Sequence, residues 1–487
     1  MRNLLRLVFL TSLLLFRLRA EEPVPASTPN PFEGVWVGTV TSPNDQTEIG
    51  FTFTRGKSGP GLNASFSMPA MFLHEFQLGA AEIADGTYTQ PDFGAKLTLT
   101  DGRLVGTLGN PLLHVELHRG EALAAPSPAP DLPPAPPPAW THALGAETWG
   151  SPVARDGMVY IGCVDGKFHA LRAPDGSESW VWAGPNPLYG AALVTDDSLY
   201  VLDEHNDLVS LHRADGQLRW RVPLYDEKFA GKPARKNPTF NRRVPVPVLV
   251  DGTLYIGSPD HGLYALDAPT GKILWRHEIG ASIDGAVAAQ GDDLIAGCAD
   301  GSVVVLNRLT GAESARTKLG RPIASAPVIA GDTILVGCRD YLLYGLRRSD
   351  LGVAWRDSYW FSWVESVPAV VDSIAYIGGS DFRRISAVEP ATGRFLWSTD
   401  VRGIAWCTPV VTADTVYACT SAQTPAAIHH EGGIVALDRH TGAVKWRQFV
   451  PLNAPAERAG YIGSLVLVEE KIIGASFDGI VTAYPAK

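Results

Sequence analysis

The chain has 487 residues, 45% apolar and 19% charged, which is long enough for more than one packed domain. A formal charge of −10 argues against nucleic acid and against an anionic membrane surface as partners. Five cysteines with no Cys-x-x-Cys pair exclude a zinc ribbon and a covalent c-type haem.

At the N-terminus Arg2 and Arg6 lead into an almost wholly apolar run from Leu7 to Phe16, followed by Ala20. Residues 1–20 therefore read as a secretory signal, since the run is too short to span a bilayer. Removing them takes away four arginines and no acid, so the formal charge moves from −10 to −14. No other long apolar stretch follows. The mature chain is expected to be exported to the periplasm or cell envelope, without a transmembrane span.

Residues 30–120 alternate like half-buried strands, as in Gly34-Val35-Trp36-Val37-Gly38 and Glu48-Ile49-Gly50-Phe51-Thr52-Phe53. Ala95 to Thr100, Leu104 to Leu108 and Leu112 to Leu117 continue the rhythm, which predicts a small antiparallel β-barrel or curled sheet. On Gly-x-Trp-x-Gly and that rhythm, the segment resembles the lipocalin-like modules ahead of some exported bacterial hydrolases. Residues 121–138 form a linker in which Ala124 to Pro138 holds eight prolines in fifteen residues. In polyproline II form it spans up to about 45 Å and would hold its neighbours apart.

From residue 139 to 487 one unit recurs at about forty-residue spacing, the signature of stacked β-propeller blades. Its clearest copy is Leu254-Tyr255-Ile256-Gly257, Asp260-His261-Gly262, Leu263 to Asp267, Thr270-Gly271 and Trp275. The short apolar runs read as strands. Asp165-Gly166, Asp300-Gly301, Thr270-Gly271 and Thr392-Gly393 supply the positive φ angles of tight turns. A fourth strand is predicted to end at a Trp that wedges between blades. That column runs Trp180, Trp220, Trp275, Ala315, Trp355, Trp397 and Trp446, so blade four is expected to have a looser interface. The last repeat lacks its Trp strand, and Trp140 to Gly145 supplies one ahead of the first full repeat. Pairing the two closes an eight-bladed ring and removes its exposed edge.

The run Ala265-Leu266-Asp267-Ala268-Pro269-Thr270-Gly271-Lys272-Ile273-Leu274-Trp275 resembles the repeat of the pyrroloquinoline quinone (PQQ)-like propellers. That superfamily includes the quinoprotein alcohol dehydrogenases and the periplasmic propeller lipoprotein of the outer-membrane β-barrel assembly machine. The resemblance implies the fold more firmly than an activity. A quinoprotein would bring PQQ, calcium, a catalytic Asp and often a pair of adjacent cysteines. This chain has no adjacent cysteines and no long inserts, and no Cys near the signal offers the lipoprotein's lipid attachment.

One column, just before each innermost strand, collects Trp149, Tyr189, Val244, Asp284, Ala324, Glu365, Trp406 and Tyr461. It should line a mouth of the central channel, where aromatics and carboxylates can hold a ring-shaped or sugar-like ligand, or simply pack on one another. An insertion from Tyr225 to Arg243 carries Lys228, Lys232, Arg235, Lys236, Arg242 and Arg243, which suit an acidic partner or a solvated loop. Tyr359-Trp360-Phe361-Ser362-Trp363 is expected to expose part of an aromatic cluster as a docking surface. A second insertion holds His429-His430-Glu431, with no third metal ligand at a telling spacing. Cys163, Cys298 and Cys338 share one strand-end slot and read as small buried residues, while Cys407 and Cys419 flank one hairpin and lie close enough in sequence to bridge. Gly-x-Ser-x-Gly, His-Glu-x-x-His and a glycine-rich phosphate loop are all missing.

The sequence thus reads as an exported all-β protein whose propeller is a non-catalytic scaffold for proteins or cell-envelope components, with no catalytic, cofactor or metal residues assigned. The alternatives are a PQQ- and calcium-dependent dehydrogenase of reduced design and a carbohydrate-binding propeller.

Overall fold

The computed structural model describes residues 30–56, 61–91, 94–126, 131–225, 244–360, 362–423, 430–451 and 458–486, and residues 1–20, expected to be a signal, lie outside them. Among the described residues, the chain from Trp140 onward forms eight antiparallel sheets of four strands each, successive in sequence in all but the eighth, and one of them has a short fifth strand attached. Blade three, from the channel outward, is Val248–Val250, Thr253–Gly257, Gly262–Asp267 and Ile273–Glu278. Its two middle strands are covered by the neighbouring blades, which is why they are apolar at nearly every position. The eighth blade joins the two ends of the repeat: Val466–Val468, Lys471–Ala475 and Ile480–Pro485 pair in order, and Trp140–Ala143 adds outside them with Trp140 opposite Ala483. The all-β, eight-bladed reading holds.

The turns follow the expected chemistry. Gly166 sits at φ 84°, and the Asp165 carboxylate accepts the Lys167 amide at 3.1 Å. Gly271 sits at φ 72°, and a methyl group there would lie 2.7 Å from the Trp220 ring. In every blade but the fourth and seventh, the outer-strand Trp thus lies on the turn glycine of the next. Its indole N–H donates to a carbonyl of that blade, as from Trp220 to Ala268 at 3.1 Å and from Trp275 to Arg308 at 3.1 Å. The fourth strand does not end at the Trp, however. In blade three it runs on to Glu278, because Leu263 and Tyr264 still offer partners to His277 and Arg276.

Blade four is not loose. Where the Trp is replaced by Ala315, the turn glycine of the next blade is replaced by Leu351, held at φ 57° and 2% exposed. Ala315 packs against the cluster that contains Leu351, so the leucine fills what the indole would have filled.

Residues 34–119 form a nine-stranded antiparallel sheet among the described residues, with the first strand, Gly34–Thr41, pairing the last, Asn110–Arg119. Leu62–Met68, Leu73–Ala80, Glu82–Ala84 and Thr87–Gln90 are strands that the sequence rhythm did not give. Gln90 donates its side-chain amide to the Leu78 carbonyl at 2.8 Å, drawing the sheet's two ends together into a barrel. The interior is filled by aromatics: Phe53 meets Tyr88 edge-on at 5.0 Å, and Phe51 meets Phe66 at 5.0 Å. In Gly-x-Trp-x-Gly, Trp36 is buried, with its indole N–H on the Phe32 carbonyl at 2.7 Å. Gly38 leaves room for the Glu116 carbonyl of the facing strand, against which any β-carbon would collide.

The linker does not hold barrel and propeller apart. The Asn44 side-chain amide donates to Asp357 Oδ2 at 2.8 Å and to the Gly393 carbonyl at 3.0 Å, and its carbonyl accepts the Phe395 amide at 3.1 Å. Asn110 donates to Ser358 Oγ at 3.0 Å, and the Arg383 guanidinium lies 4.2 Å from the Phe72 ring centre. A single contiguous cluster of buried apolar side chains runs from Trp36, Phe51 and Phe66 of the barrel to Tyr359, Trp360 and Phe382 of the propeller. The aromatic run expected at the surface is therefore largely internal: Trp360 is 1% exposed and Trp363 half-buried, while Phe361 lies outside the described residues. The barrel is what this part of the run packs with.

Candidate functional site

Each innermost strand is preceded, four residues before it starts, by a side chain directed at the channel mouth. The geometry puts Trp149, Tyr189, Val244, Asp284, Ala324, Glu365, Trp406 and Ile462 around one cavity of about 560 Å³. The eighth member is Ile462, not Tyr461. Val466 pairs with Ile473 as Val153 pairs with Tyr160, so the slot held by Gly162 in blade one falls to Ala475 in blade eight, and counting from Gly474 instead lands one residue short. Tyr461 points into the interior, 3% exposed, among Tyr417, Leu465 and Tyr484, and burial pushes its phenol well above the ordinary range.

The mouth has an aromatic side and an acidic side. Trp149 meets Phe477 at 5.2 Å and Tyr189 at 6.4 Å, both edge-on, and the Arg458 guanidinium stands 4.7 Å from its ring centre. Opposite, Glu365 is 2% exposed and takes an ion pair from Arg339, whose guanidinium also covers the Trp363 ring at 4.4 Å. Asp284 accepts the Ser282 hydroxyl at 2.7 Å. One residue deeper the ring tightens to backbone contact: a β-carbon at Gly150 would lie 2.6 Å from the Gly190 carbonyl.

These residues do not fit a calcium ion of the quinoprotein kind. A metal on Glu365 would have to displace the Arg339 guanidinium, and the described residues contain no group of three or more His, Cys, Asp or Glu placed to hold a metal. The second insertion gives the same answer where it is described. Glu431 pairs with Arg447, His430 is buried 3.7 Å from Asp381, and His429 lies outside the described residues. Lys228, Lys232, Arg235, Lys236, Arg242 and Arg243 also lie outside them, but the residue that follows, Val244, stands at the mouth. All five cysteines are free and buried, Cys407 and Cys419 included. Cys419 donates its amide to the Cys407 sulfur at 3.1 Å.

A sequence profile of the family described as outer membrane protein assembly factor BamB matches residues 137–261, 259–360 and 352–487, which together take in all eight blades. The chain belongs to the BamB family. BamB of Yersinia pestis is 30% identical over 182 residues, a stretch covering 34% of this chain and 44% of that protein. The match thus spans less than half of that relative's length. Among solved structures, the computationally designed Ika8 protein gives a TM-score of 0.56 at 14% identity, covering 72% of this chain and 99% of its own. A quinohemoprotein alcohol dehydrogenase from Comamonas testosteroni gives 0.55 at 12% identity, covering 72% and 76%. At such identities both show the propeller fold alone. The barrel stands outside the BamB match, which starts at residue 137.

Proposed function

We propose that this protein is an exported, non-catalytic propeller scaffold that binds protein components of outer-membrane protein assembly at the cell envelope and works without a cofactor. The observation that carries this reading is the BamB profile running through all eight blades. The mouth supports it, because its buried acid is already neutralised by Arg339 and its aromatics pack on one another. The docking face assigned to the partner is the rim of that mouth, with Tyr189 and Trp363 beside it and the basic segment containing Lys232, Arg235 and Lys236 leading into Val244.

The test is a photo-crosslinking residue placed at position 189 or 236 in growing cells, with adducts identified by mass spectrometry. Adducts with outer-membrane assembly proteins support the reading. Their absence from both positions, or calorimetric binding of PQQ with calcium accompanied by dye-linked alcohol oxidation, overturns it.

A further inference from the structure

The N-terminal part of the chain is spread around the ring. The barrel bonds to blades five and six, and Trp140–Ala143 is the outer strand of blade eight. Between them the linker crosses blade seven, where it pairs with the edge. Ala135 donates its amide to the Arg447 carbonyl at 2.9 Å, Arg447 donates its amide to the Pro133 carbonyl at 2.8 Å, and Pro134 bridges Arg447 in parallel. The outer strand there is Val444–Val450, seven residues long, yet the described linker engages only Arg447.

The prolines explain that economy. The next linker positions that would donate to the edge are Pro133 and Pro137, which have no N–H, so the ladder loses its linker donors in both directions. Farther along the same strand, Phe449 is 54% exposed. The outer strands of blades one to four pair, among the described residues, only within their own blades, so blade seven is distinctive in already holding an extended segment.

We propose that the outer edge of blade seven is a strand-addition site for an extended segment of a protein partner, occupied in cis by Pro133–Ala135 as a weak, displaceable strap. The segment that fits runs parallel to Val444–Val450, offers backbone N–H groups at alternate positions, and sets an apolar side chain on Phe449. This rests on the scaffold reading for its biological partner, but the edge itself is tested without one.

The probes are two labelled nonapeptides, one with the sequence of residues 131–139 and one with every proline replaced by threonine. They are titrated by fluorescence anisotropy into the full mature protein and into a variant whose residues 131–138 are replaced by a Gly-Ser octapeptide. Hydrogen exchange at the Arg447 amide is followed in parallel. The strap variant is expected to exchange at Arg447 at least tenfold faster. It should also bind the threonine peptide at least tenfold tighter than the intact protein does, and the bound peptide should restore Arg447 protection. Equal binding to both proteins, no binding to a strap variant whose Arg447 is open, or self-association of that variant in place of peptide binding overturns the proposal. Peptide binding together with failed crosslinking to assembly proteins would retain the edge and discard the scaffold's assigned partners.

Discussion

Asp357 is the most informative residue to change at the junction between barrel and propeller. It is 2% exposed, its Oδ2 accepts the Asn44 amide, and its Oδ1 has no hydrogen-bond partner. Burial raises its carboxyl from the ordinary 3.8 to about 6, Asp45 adds a like charge nearby, and the bonds from Asn44 and the Ser358 amide only partly offset this. Because the folded value lies above the unfolded one, Asp357 favours folding while protonated and loses that advantage as pH rises through about 6. The loss from 3.8 to about 6 corresponds to about 3 kcal/mol once ionisation is complete. Asp357→Asn keeps a carbonyl for Asn44 and behaves as a permanently protonated acid. Its stability should match the parent near pH 4 and exceed it by up to about 3 kcal/mol at pH 8. Urea unfolding across that range, with hydrogen exchange at the Phe395 amide as a local report of undocking, measures both. A constant offset between the two proteins from pH 4 to 8, or a variant less stable than the parent at pH 8, would refute the argument.

Three further changes follow from the same contacts. Asn44→Ala removes three bonds across the junction and leaves the Asp357 carboxylate without its side-chain donor. It should destabilise docking by roughly 2–4 kcal/mol at pH 7.5 and speed exchange at the Phe395 amide. Leu351→Gly restores the common turn residue but empties the space beside Ala315, so a net loss of about 1–3 kcal/mol is expected after relief of the positive φ. Adding Ala315→Trp should recover most of that loss, and a double-mutant cycle showing simple additivity would contradict the pairing. Burial pushes the thiols of Cys163, Cys298 and Cys338 up to about 12. At pH 8 a thiol reagent should therefore label none of the cysteines in the native protein and all five after denaturation without reductant. A count of three would mean that Cys407 and Cys419 are bridged.

The repeat was readable because most blades restate the same local chemistry: an Asp-Gly or Thr-Gly turn, short apolar runs and a Trp seated on the next glycine. The ring, its number of blades and seven of the eight mouth positions follow from that repetition. Tyr461 was misplaced because Gly474 was aligned with the strand-end glycines Gly162 and Gly257, whereas Ala475 fills that slot in blade eight, and one residue of slip exchanges a mouth position for a buried one. Reading Ala315 alone suggested a gap, since the compensation lies thirty-six positions on at Leu351 and has meaning only once the two turns are aligned. The barrel's seat on the propeller had no sequence signal. It depends on Asn44 meeting Asp357, 313 residues away, and an isolated asparagine looks the same whether it bonds to water or to a distant carboxylate. Trp360 was assigned to the surface for the same reason, because apolarity shows that a residue needs cover without showing what supplies it.

The barrel's position also bears on how the ring closes. The closing strand Trp140–Ala143 is only four residues long, and its ladder joins segments more than three hundred residues apart in sequence. Bringing such distant segments together costs chain entropy that a four-residue strand repays poorly by itself. The chain just before it is held at blades five and six by Asn44 and Asn110 and at blade seven by Arg447, so the closing strand is presented beside blade eight rather than found from the whole unfolded volume. The Trp140 indole then locks the seam, donating to the Ala173 carbonyl of blade one at 2.8 Å and lying over Gly176. On this account the barrel and strap act on closure as well as covering surface. Undocking at Asn44 should loosen the Trp140 seam before it affects blades two to four, an order that residue-resolved hydrogen exchange can read directly.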